Sequence, residues 1–366
     1  MARNVDVLVV GLGPAGSSAA ATAARAGASV LCLERKKVIG IPVQCAEFIP
    51  LPLSRYASPE ARAQAVDAMD TSLPSGARAQ RAFHGLMIRR DRFDQGLANA
   101  AREAGAVLWT DSVLRALDAG ACRARVSTAS GMREIGFRLL IAADGPHSAV
   151  AACLGLPRLP LVTTRQYTVP LRRPGRDTDI WLSPRTPGGY AWLFPKGSVA
   201  NLGLGLDPAF ETDMKAPLDA LHAALVAQGR VGADILLRTG GPIPVGGLRA
   251  RLVEGTVLFV GDAAGFAHPI SGAGIAPAVV SGEHAGEAAA RHLAGDADAL
   301  AAYATEMREQ FAPSLARGLG ARARMAKAWN TERAACDQTH RAGWIAFDEY
   351  YDRTEPQMDE PGRRPT

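Results

Sequence analysis

Three glycines near the N-terminus have the spacing of a phosphate-binding turn. Gly11 permits a tight turn at the end of a strand, Gly13 lets the backbone approach a pyrophosphate, and Gly16 lets the following helix pack against a sheet. The amides and dipole of that helix attract phosphates. Glu34, followed by Arg35, lies where a carboxylate can accept hydrogen bonds from ribose hydroxyls. The sequence therefore predicts a dinucleotide site whose turn is Gly11-Leu12-Gly13-Pro14-Ala15-Gly16.

The elements that must position this turn form a βαβ unit. Residues 5–10 and 29–33 are apolar runs typical of buried parallel strands. Between them, residues 14–26 are rich in Ala and Ser and predict a helix that Gly27 closes. The glycine turn then joins the first strand to the helix, and Glu34 ends the second strand.

A second turn far along the chain selects the cofactor. The apolar run 256–260 ends at Gly261 and Asp262, and a helix is predicted to begin near Gly274. An aspartate there can bind ribityl hydroxyls, and the helix dipole favours an anionic reduced flavin at the isoalloxazine carbonyl end. Gly272 and Ile275 complete this turn. Because these contacts follow the length of the longer cofactor, they favour FAD over NAD.

Three further residues are predicted to lie beside the flavin. Asp144 ends a predicted strand at 137–142, and we expect it to support both FAD and an incoming NADPH or NADH. His268, in the turn before Gly272, is a candidate acid or base, with a structural turn histidine as the alternative. Pro269 is a candidate substrate contact. No cysteine and histidine spacing resembles a metal site.

These three turns in this order resemble the p-hydroxybenzoate hydroxylase superfamily of FAD-dependent oxidoreductases. The segment Arg90-Asp91-Arg92-Phe93-Asp94 fits the superfamily's R-x-x-F-D pattern. The resemblance implies that Arg90 helps to hold FAD and that the backbone of Val113 contacts adenine. It also implies an α/β fold with a Rossmann-like FAD-binding domain of the GR2 type, an inserted antiparallel-sheet substrate domain and C-terminal helices.

Two other segments are similar to the geranylgeranyl reductase branch. One is Pro42-Val43-Gln44-Cys45-Ala46, and the other is Tyr190-Ala191-Trp192-Leu193-Phe194-Pro195, with Asn201-Leu202-Gly203-Leu204-Gly205 behind it. The branch implies that Cys45 lies over the flavin and acts on substrate. Two positions depart from it. Ala273 replaces an acidic residue, and Ala46-Glu47-Phe48 replaces a glycine pair.

Residue pattern also predicts the domain boundaries. Residues 1–160 and 251–295 form the FAD domain, 161–250 the sheet domain, 296–350 the C-terminal helices and 351–366 a disordered tail. In the sheet domain, alternation places Tyr190, Trp192 and Phe194 on one face of a strand. That face either lines the substrate cavity or packs against the FAD domain.

Composition excludes several classes of protein. Hydrophobic residues make up 48% and charged residues 21% of 366, as in an ordinary globular enzyme. The net charge of +5 comes without a dense basic block, so nucleic acid is not an expected partner. Five scattered cysteines favour a reduced cytoplasm over a disulfide framework. The sequence contains no run of 18 uncharged apolar residues, so no membrane span is predicted. Peripheral contact with a membrane is still compatible with the sequence.

Three functions are compatible with these residues. We expect an FAD-dependent, NAD(P)H-consuming monooxygenase that hydroxylates an aromatic group of a bulky substrate, such as a peptidyl tryptophan during cofactor biogenesis. The two departures and a short C-terminal region, which would leave the substrate face open, favour it. The alternative is a reductase that saturates C=C bonds of a prenyl chain, with a proton from a group such as Cys45. A third reading is a non-catalytic FAD-binding partner protein. The oligomeric state is not predicted.

Overall fold

The computed structural model describes residues 3–329 and 331–352. The strands follow in chain order as β1 Arg3–Val10, β2 Val30–Leu33, β3 Phe48–Pro50, β4 Arg62–Ser72, β5 Arg78–Ile88, β6 Val107–Trp109, β7 Val113–Asp118, β8 Arg123–Thr128, β9 Gly131–Ala142, β10 Leu161–Pro170, β11 Thr178–Trp181, β12 Ala191–Lys196, β13 Val199–Leu206, β14 Leu237–Thr239, β15 Pro242–Pro244, β16 Val253–Glu254 and β17 Val257–Phe259. The α-helices are α1 Pro14–Arg25, α2 Arg90–Glu103, α3 Ala149–Cys153, α4 Lys215–Ala227, α5 Gly261–Ala264, α6 Ile275–Leu293, α7 Ala299–Ala326 and α8 Asp337–Arg341. Short 3-10 helices occupy Leu51–Tyr56, Glu332–Ala335 and Asp348–Tyr350.

The first sheet carries the glycine turns. Its strand order is β16-β17-β9-β1-β2-β6, and β1 pairs in parallel with both β2 and β9. The carboxyl ends of β1, β2, β9 and β17 therefore meet at one edge, where ligands bind in open α/β sheets. Helix α6 packs closely on α1, because Gly282 and Gly286 bring it against the backbone of Ala15 and Ala19.

The second sheet extends beyond the predicted domain. Its order is β14-β10-β13-β12-β11-β4-β5-β3, and β15 pairs with β10. Strands β3 to β5 thus belong to it, whereas the sequence analysis placed all of 1–160 in the FAD domain. It is also mixed, since β4 pairs with β11 in parallel through Met69 and Thr178. The local pattern did not show this because the pairing joins segments about a hundred residues apart.

The predicted side-chain alternation along β12 is confirmed. Trp192 and Phe194 pack in one hydrophobic cluster, together with Tyr190, while Ala191 and Leu193 pack in another on the opposite side of the sheet. The first cluster also contains Trp344 and Phe347 from the C-terminal segment. This segment therefore covers the aromatic face of the sheet.

The C-terminal region begins with the long helix α7. It continues through Pro313, and the segment after it packs on the second sheet through Trp344 and Phe347. No helix among residues 3–329 and 331–352 is long and apolar enough to cross a membrane. Of the tail predicted to be disordered, Tyr351 and Asp352 are described, and residues 353–366 lie outside the described range.

Candidate active site

The glycine turn after β1 has room for a ligand at one position only. A Cβ on Gly16 would lie 1.9 Å from the Gly11 carbonyl oxygen, and one on Gly11 would lie 2.4 Å from that of Ala143. A Cβ on Gly13 would meet no protein atom within 4 Å. Packing of α1 therefore requires Gly11 and Gly16, whereas the space at Gly13 faces outward. Helix α1 begins at Pro14 with no side-chain cap and no acidic residue in its first turn, as suits a bound phosphate.

Glu34 lies at the end of β2 and is almost fully buried. Its carboxylate accepts hydrogen bonds from the amides of Leu12 and Lys36, each at 2.9 Å. The Ser112 amide donates to the Glu34 carbonyl at 2.9 Å, which brings Val113 next to the same strand end. Glu34 and Val113 thus lie together, while the side chain of Arg35 is exposed.

Asp144, beside Gly11, has one carboxylate oxygen without a protein partner. Its Oδ2 accepts from the Val150 amide at 3.0 Å, whereas Oδ1 is buried and makes no hydrogen bond among the described residues. Burial raises the pKa of this carboxyl group. An unpaired acceptor of this kind fits a hydroxyl or ring donor of a bound FAD.

A second cluster of polar groups surrounds Arg90, which interacts with three other side chains. Its guanidinium makes a bidentate pair with Asp94, with both N–O distances at 2.9 Å, and it lies close enough to Cys45 for the two side chains to interact electrostatically. Asp262 lies within its electrostatic reach. Burial raises the pKa of Asp262 to about 6, and Arg90 opposes that rise. A cation, a thiol and a carboxylate from three distant segments therefore meet at one place.

Helix α6 points its N-terminus at this cluster. Gly274 precedes its first residue, Ile275, and provides no side-chain cap, and the first turn holds no acidic side chain. A Cβ on Gly274 would lie 3.1 Å from Oδ1 of Asp262, so this carboxylate lies beside the helix start. Free amides there can stabilise negative charge on a flavin carbonyl edge. Together with the open space at Gly13 and the unpaired oxygen of Asp144, this helix start fits FAD along its whole length.

The loop that carries Cys45 is fastened from the second sheet. The Glu47 amide donates to Sγ of Cys45 at 3.2 Å, and Nε2 of Gln166 donates to the Cys45 carbonyl at 3.1 Å. Trp192 in turn donates its indole N–H to Oε1 of Gln166 at 3.1 Å. The predicted aromatic wall is therefore linked to the predicted catalytic thiol through one buried amide side chain.

Tyr190 connects that wall to the turn that begins at His268. Its hydroxyl donates to the Ser271 carbonyl at 2.6 Å, and its ring lies 4.7 Å from that of Trp344. Burial raises the pKa of Tyr190, with a smaller contribution from Cys45, so these two side chains are neighbours. A small cavity of about 20 Å³ lies here, lined by Leu182, Gly188, Gly189, Tyr190, Ile270, Arg322, Met325, Trp329 and Trp344. Pro269 is buried beside it and next to α7.

His268 has contacts at both ring nitrogens. Nδ1 lies 3.3 Å and 3.2 Å from the amides of Ile270 and Ser271, which donate to it, and Nε2 lies 3.3 Å from the Tyr350 hydroxyl. Burial, helped by the charge of Arg317, lowers the pKa of His268 to about 4. The ring is therefore neutral at physiological pH and shapes the turn. Its predicted acid–base role stays a prediction.

Several residues of the site were not found from the sequence. Gln166, Lys196 and Asn201 fasten the Cys45 loop, and Trp344 closes the aromatic face. Arg322 on α7 bonds Asp207 at 2.6 Å and the Gly188 carbonyl at 2.7 Å. These roles depend on partners far away in the chain, so no local signal marked them.

Curated relatives and family models identify the family. A model described as geranylgeranyl reductase catalytic domain matches residues 164–237, and one described as FAD dependent oxidoreductase matches residues 6–40. A digeranylgeranylglycerophospholipid reductase of Methanopyrus kandleri is 36% identical over 84% of this chain and 86% of its own length. One from Thermoplasma volcanium is 32% identical over 78% of each chain.

The chain belongs to the geranylgeranyl reductase family of FAD-dependent oxidoreductases. A solved geranylgeranyl bacteriochlorophyll reductase-like protein from Thermoplasma acidophilum superimposes with a TM-score of 0.85 at 26% identity, over 94% of this chain and 92% of that one. A flavin-dependent halogenase, with a TM-score of 0.73 and 18% identity over 92% of this chain and 67% of that one, shares the fold. The fold class and the family resemblance predicted from the sequence are thereby confirmed.

The expected aromatic hydroxylase is wrong. Relatives at 32% to 36% identity are named as reductases, and the matched catalytic domain is that of a geranylgeranyl reductase. Two departures from the branch motif, at Glu47 and Ala273, had favoured the monooxygenase. The structure shows why the first of them misled, since Glu47 is buried against Lys196 and supports the Cys45 loop. Glu47, in the segment where the branch has a glycine pair, therefore supports the Cys45 site and does not disrupt it.

Proposed function

We propose that this protein is an FAD-dependent reductase that saturates C=C bonds in the prenyl chain of a bulky lipid. The observation that carries the proposal is the position of Cys45. Its thiol accepts a hydrogen bond from the Glu47 amide at 3.2 Å, and it interacts electrostatically with Arg90 and Tyr190. The names of the relatives support a prenyl lipid as the substrate class.

Saturation of an alkene adds one hydride and one proton. FAD, held by the turn at Gly13 and by the start of α6, would supply the hydride when it is bound and reduced. The thiol of Cys45 gives its proton to an alkene carbon, and solvent protons later restore the thiol. The Glu47 amide donates to Sγ and the positive charge of Arg90 lies nearby, so both would stabilise the thiolate that remains after proton transfer. The rings of Tyr190, Trp192 and Phe194 pack with Trp344 and Phe347 and form an apolar wall on this side of the Cys45 loop.

Electrons enter the flavin from outside the described chain in this proposal. No group of three or more His, Cys, Asp or Glu residues in the described ranges could hold a metal ion. We propose NADPH or NADH as the donor. Chemical reduction of the flavin tests the alkene chemistry separately from the choice of donor.

Peripheral contact with a lipid surface is part of the proposal. Leu236 and Leu237 are 57% and 50% exposed, and Arg238 beside them is exposed too. This strand lies near the thiol loop, since Nε2 of Gln44 donates to the Gly240 carbonyl at 2.8 Å. Sedimentation with anionic phospholipid vesicles tests it, and binding should fall in Leu236→Ser/Leu237→Ser. The cytoplasmic location and the absence of a nucleic-acid partner stay predictions.

The decisive experiment is anaerobic turnover by dithionite-reduced enzyme. Digeranylgeranylglycerol phospholipid in detergent is the substrate, and mass spectrometry counts the hydrogens gained. We expect Cys45→Ala to lose at least about 100-fold in rate while it retains FAD, whereas Cys153→Ala, at an exposed cysteine, keeps the wild-type rate. No gain of hydrogen by wild-type enzyme on this lipid or on geranylgeraniol would refute the proposed function.

A further inference from the structure

Glu47 adopts a backbone conformation that L-residues rarely adopt. Its φ is 70°, in the left-handed region, and its residue surface is 3% exposed. Strain of this kind is energetically costly and persists only where the surroundings over-determine it. Burial of a carboxylate adds to that cost unless the charge is paired. Glu47 is therefore held in place by its contacts.

The carboxylate of Glu47 joins helix α2 to the second sheet. Oε1 accepts the backbone N–H of Arg90 at 2.9 Å, at the start of α2. Oε2 accepts from Nδ2 of Asn201 at 2.8 Å and forms an ion pair with Lys196. Lys196 is on β12 and Asn201, fully buried, is on β13. One side chain thus ties the helix that carries Arg90 to the sheet that carries the aromatic wall.

The backbone of Glu47 fixes the thiol directly. Its N–H donates to Sγ of Cys45 at 3.2 Å, and its carbonyl accepts from the Ile88 amide at 2.8 Å. Nδ2 of Asn201 also donates to the Ala46 carbonyl at 3.2 Å. The left-handed φ of Glu47 sets the direction of its side chain and carbonyl relative to the amide that contacts Sγ. The one residue can therefore hold Sγ through its N–H while its carbonyl meets the Ile88 amide and its carboxylate meets Arg90 and Asn201.

We propose that Glu47 is a positioning residue that clamps the Cys45 thiol and the start of helix α2, which carries Arg90, in a fixed relation to each other. The clamp itself follows from geometry, and its effect on turnover rests on the proposed function. The competing role is a plain buried ion pair that stabilises the fold. The two roles differ in what Lys196 contributes. Without Lys196, Glu47 retains its bonds from Arg90 and Asn201, so the clamp survives although one charge loses its partner.

Three variants separate these roles. Glu47→Gly removes the carboxylate and relieves the strained φ, Lys196→Met removes the partner charge only, and Glu47→Gly/Lys196→Met removes both charges and so still folds if the single variant does not. Glu134→Gln is the control, because Glu134 pairs with Arg123 on the surface. Thermal unfolding and FAD content are measured for each.

The first readout needs no substrate. Hydrogen exchange of peptides that contain residues 44–48 should be at least about 10-fold faster in Glu47→Gly and in the double variant, and within about twofold of wild type in Lys196→Met. The second readout is the rate of prenyl reduction. The kcat of both Glu47→Gly variants should fall about 10- to 100-fold with KM within about threefold, because orientation and not binding is lost.

The outcomes are distinct. Unchanged hydrogen exchange at residues 44–48 in both Glu47→Gly variants overturns the clamp. The clamp is also overturned if Lys196→Met changes exchange and kcat as much as Glu47→Gly does. Faster exchange with normal kcat also overturns it as a catalytic device. If wild-type enzyme reduces no prenyl lipid but exchange rises as expected, the proposed function fails while the clamp on Cys45 stands.

Discussion

Gly13→Ala should separate the cofactor site from the fold. The residue has φ −75°, which alanine adopts readily, and a methyl group there would meet no protein atom within 4 Å. Apoprotein stability should therefore stay the same or rise by about 0.4–1 kcal/mol, the usual gain for Gly→Ala at a compatible site. The methyl group would instead occupy the space through which a pyrophosphate approaches the start of α1.

The loss of FAD affinity can be estimated from that contact. The first amides of α1 have no side-chain cap, so a bound pyrophosphate takes charge-assisted hydrogen bonds worth about 1.5–3 kcal/mol each. Displacing the phosphate from one amide should weaken binding roughly 10- to 150-fold. Gly16→Ala differs, because its methyl carbon would lie 1.9 Å from the Gly11 carbonyl and so disturb α1 itself.

Flavin fluorescence titration and urea unfolding of apoprotein measure the two effects. Gly96→Ala is the matched control, since Gly96 lies in α2 with no atom within 4 Å of a new Cβ, and it should gain about 0.5–1 kcal/mol with unchanged FAD affinity. An FAD affinity of Gly13→Ala within about threefold of wild type would place the pyrophosphate elsewhere. A loss of apoprotein stability as large as that of Gly16→Ala would refute the packing argument.

Three further predictions concern charged groups. Burial raises the pKa of Asp262 in the folded protein from 3.8 to about 6, so ionisation of this carboxyl group lowers the stability of the fold as pH rises through that range. In urea unfolding at pH 7.5, Asp262→Asn should therefore stabilise the apoprotein by on the order of 1–2 kcal/mol. The same substitution should weaken FAD binding. The pKa of His268 is lowered from 6.5 to about 4 in the folded protein, so the fold loses stability as pH falls through this range. The free energy of unfolding of wild type relative to His268→Asn should therefore fall between pH 8 and pH 4. A difference that does not change with pH would contradict this prediction. Arg322→Ala should lower the free energy of unfolding in urea by about 2–4 kcal/mol, because it leaves Asp207 and the Gly188 carbonyl unpaired. The control Arg123→Ala, at an exposed ion pair, should lower it by less than about 1 kcal/mol. Equal losses would count against a structural role for Arg322.

Local patterns predicted much of the FAD domain. The strand, turn and helix around Gly13 follow within the first thirty residues, so near neighbours in the chain specify them. Alternation along β12 likewise placed Trp192 and Phe194 on one face. The assignment of β4 to the FAD domain failed because its partner β11 lies about a hundred residues away. Periodicity gives the type of an element and does not give its partner.

Prediction of the reaction was limited in the same way, because local sequence does not show which distant residues meet. Sequence determined the glycine turns, their carboxylates and the position of Cys45 in a motif, since each is a matter of residue type and short spacing. It also showed Glu47 as an unexpected residue, which favoured the wrong activity. Only the tertiary structure showed that Lys196, Asn201 and the amide of Arg90 surround its carboxylate. A buried charge is acceptable or ruinous according to its partners, and folding alone brings those partners together.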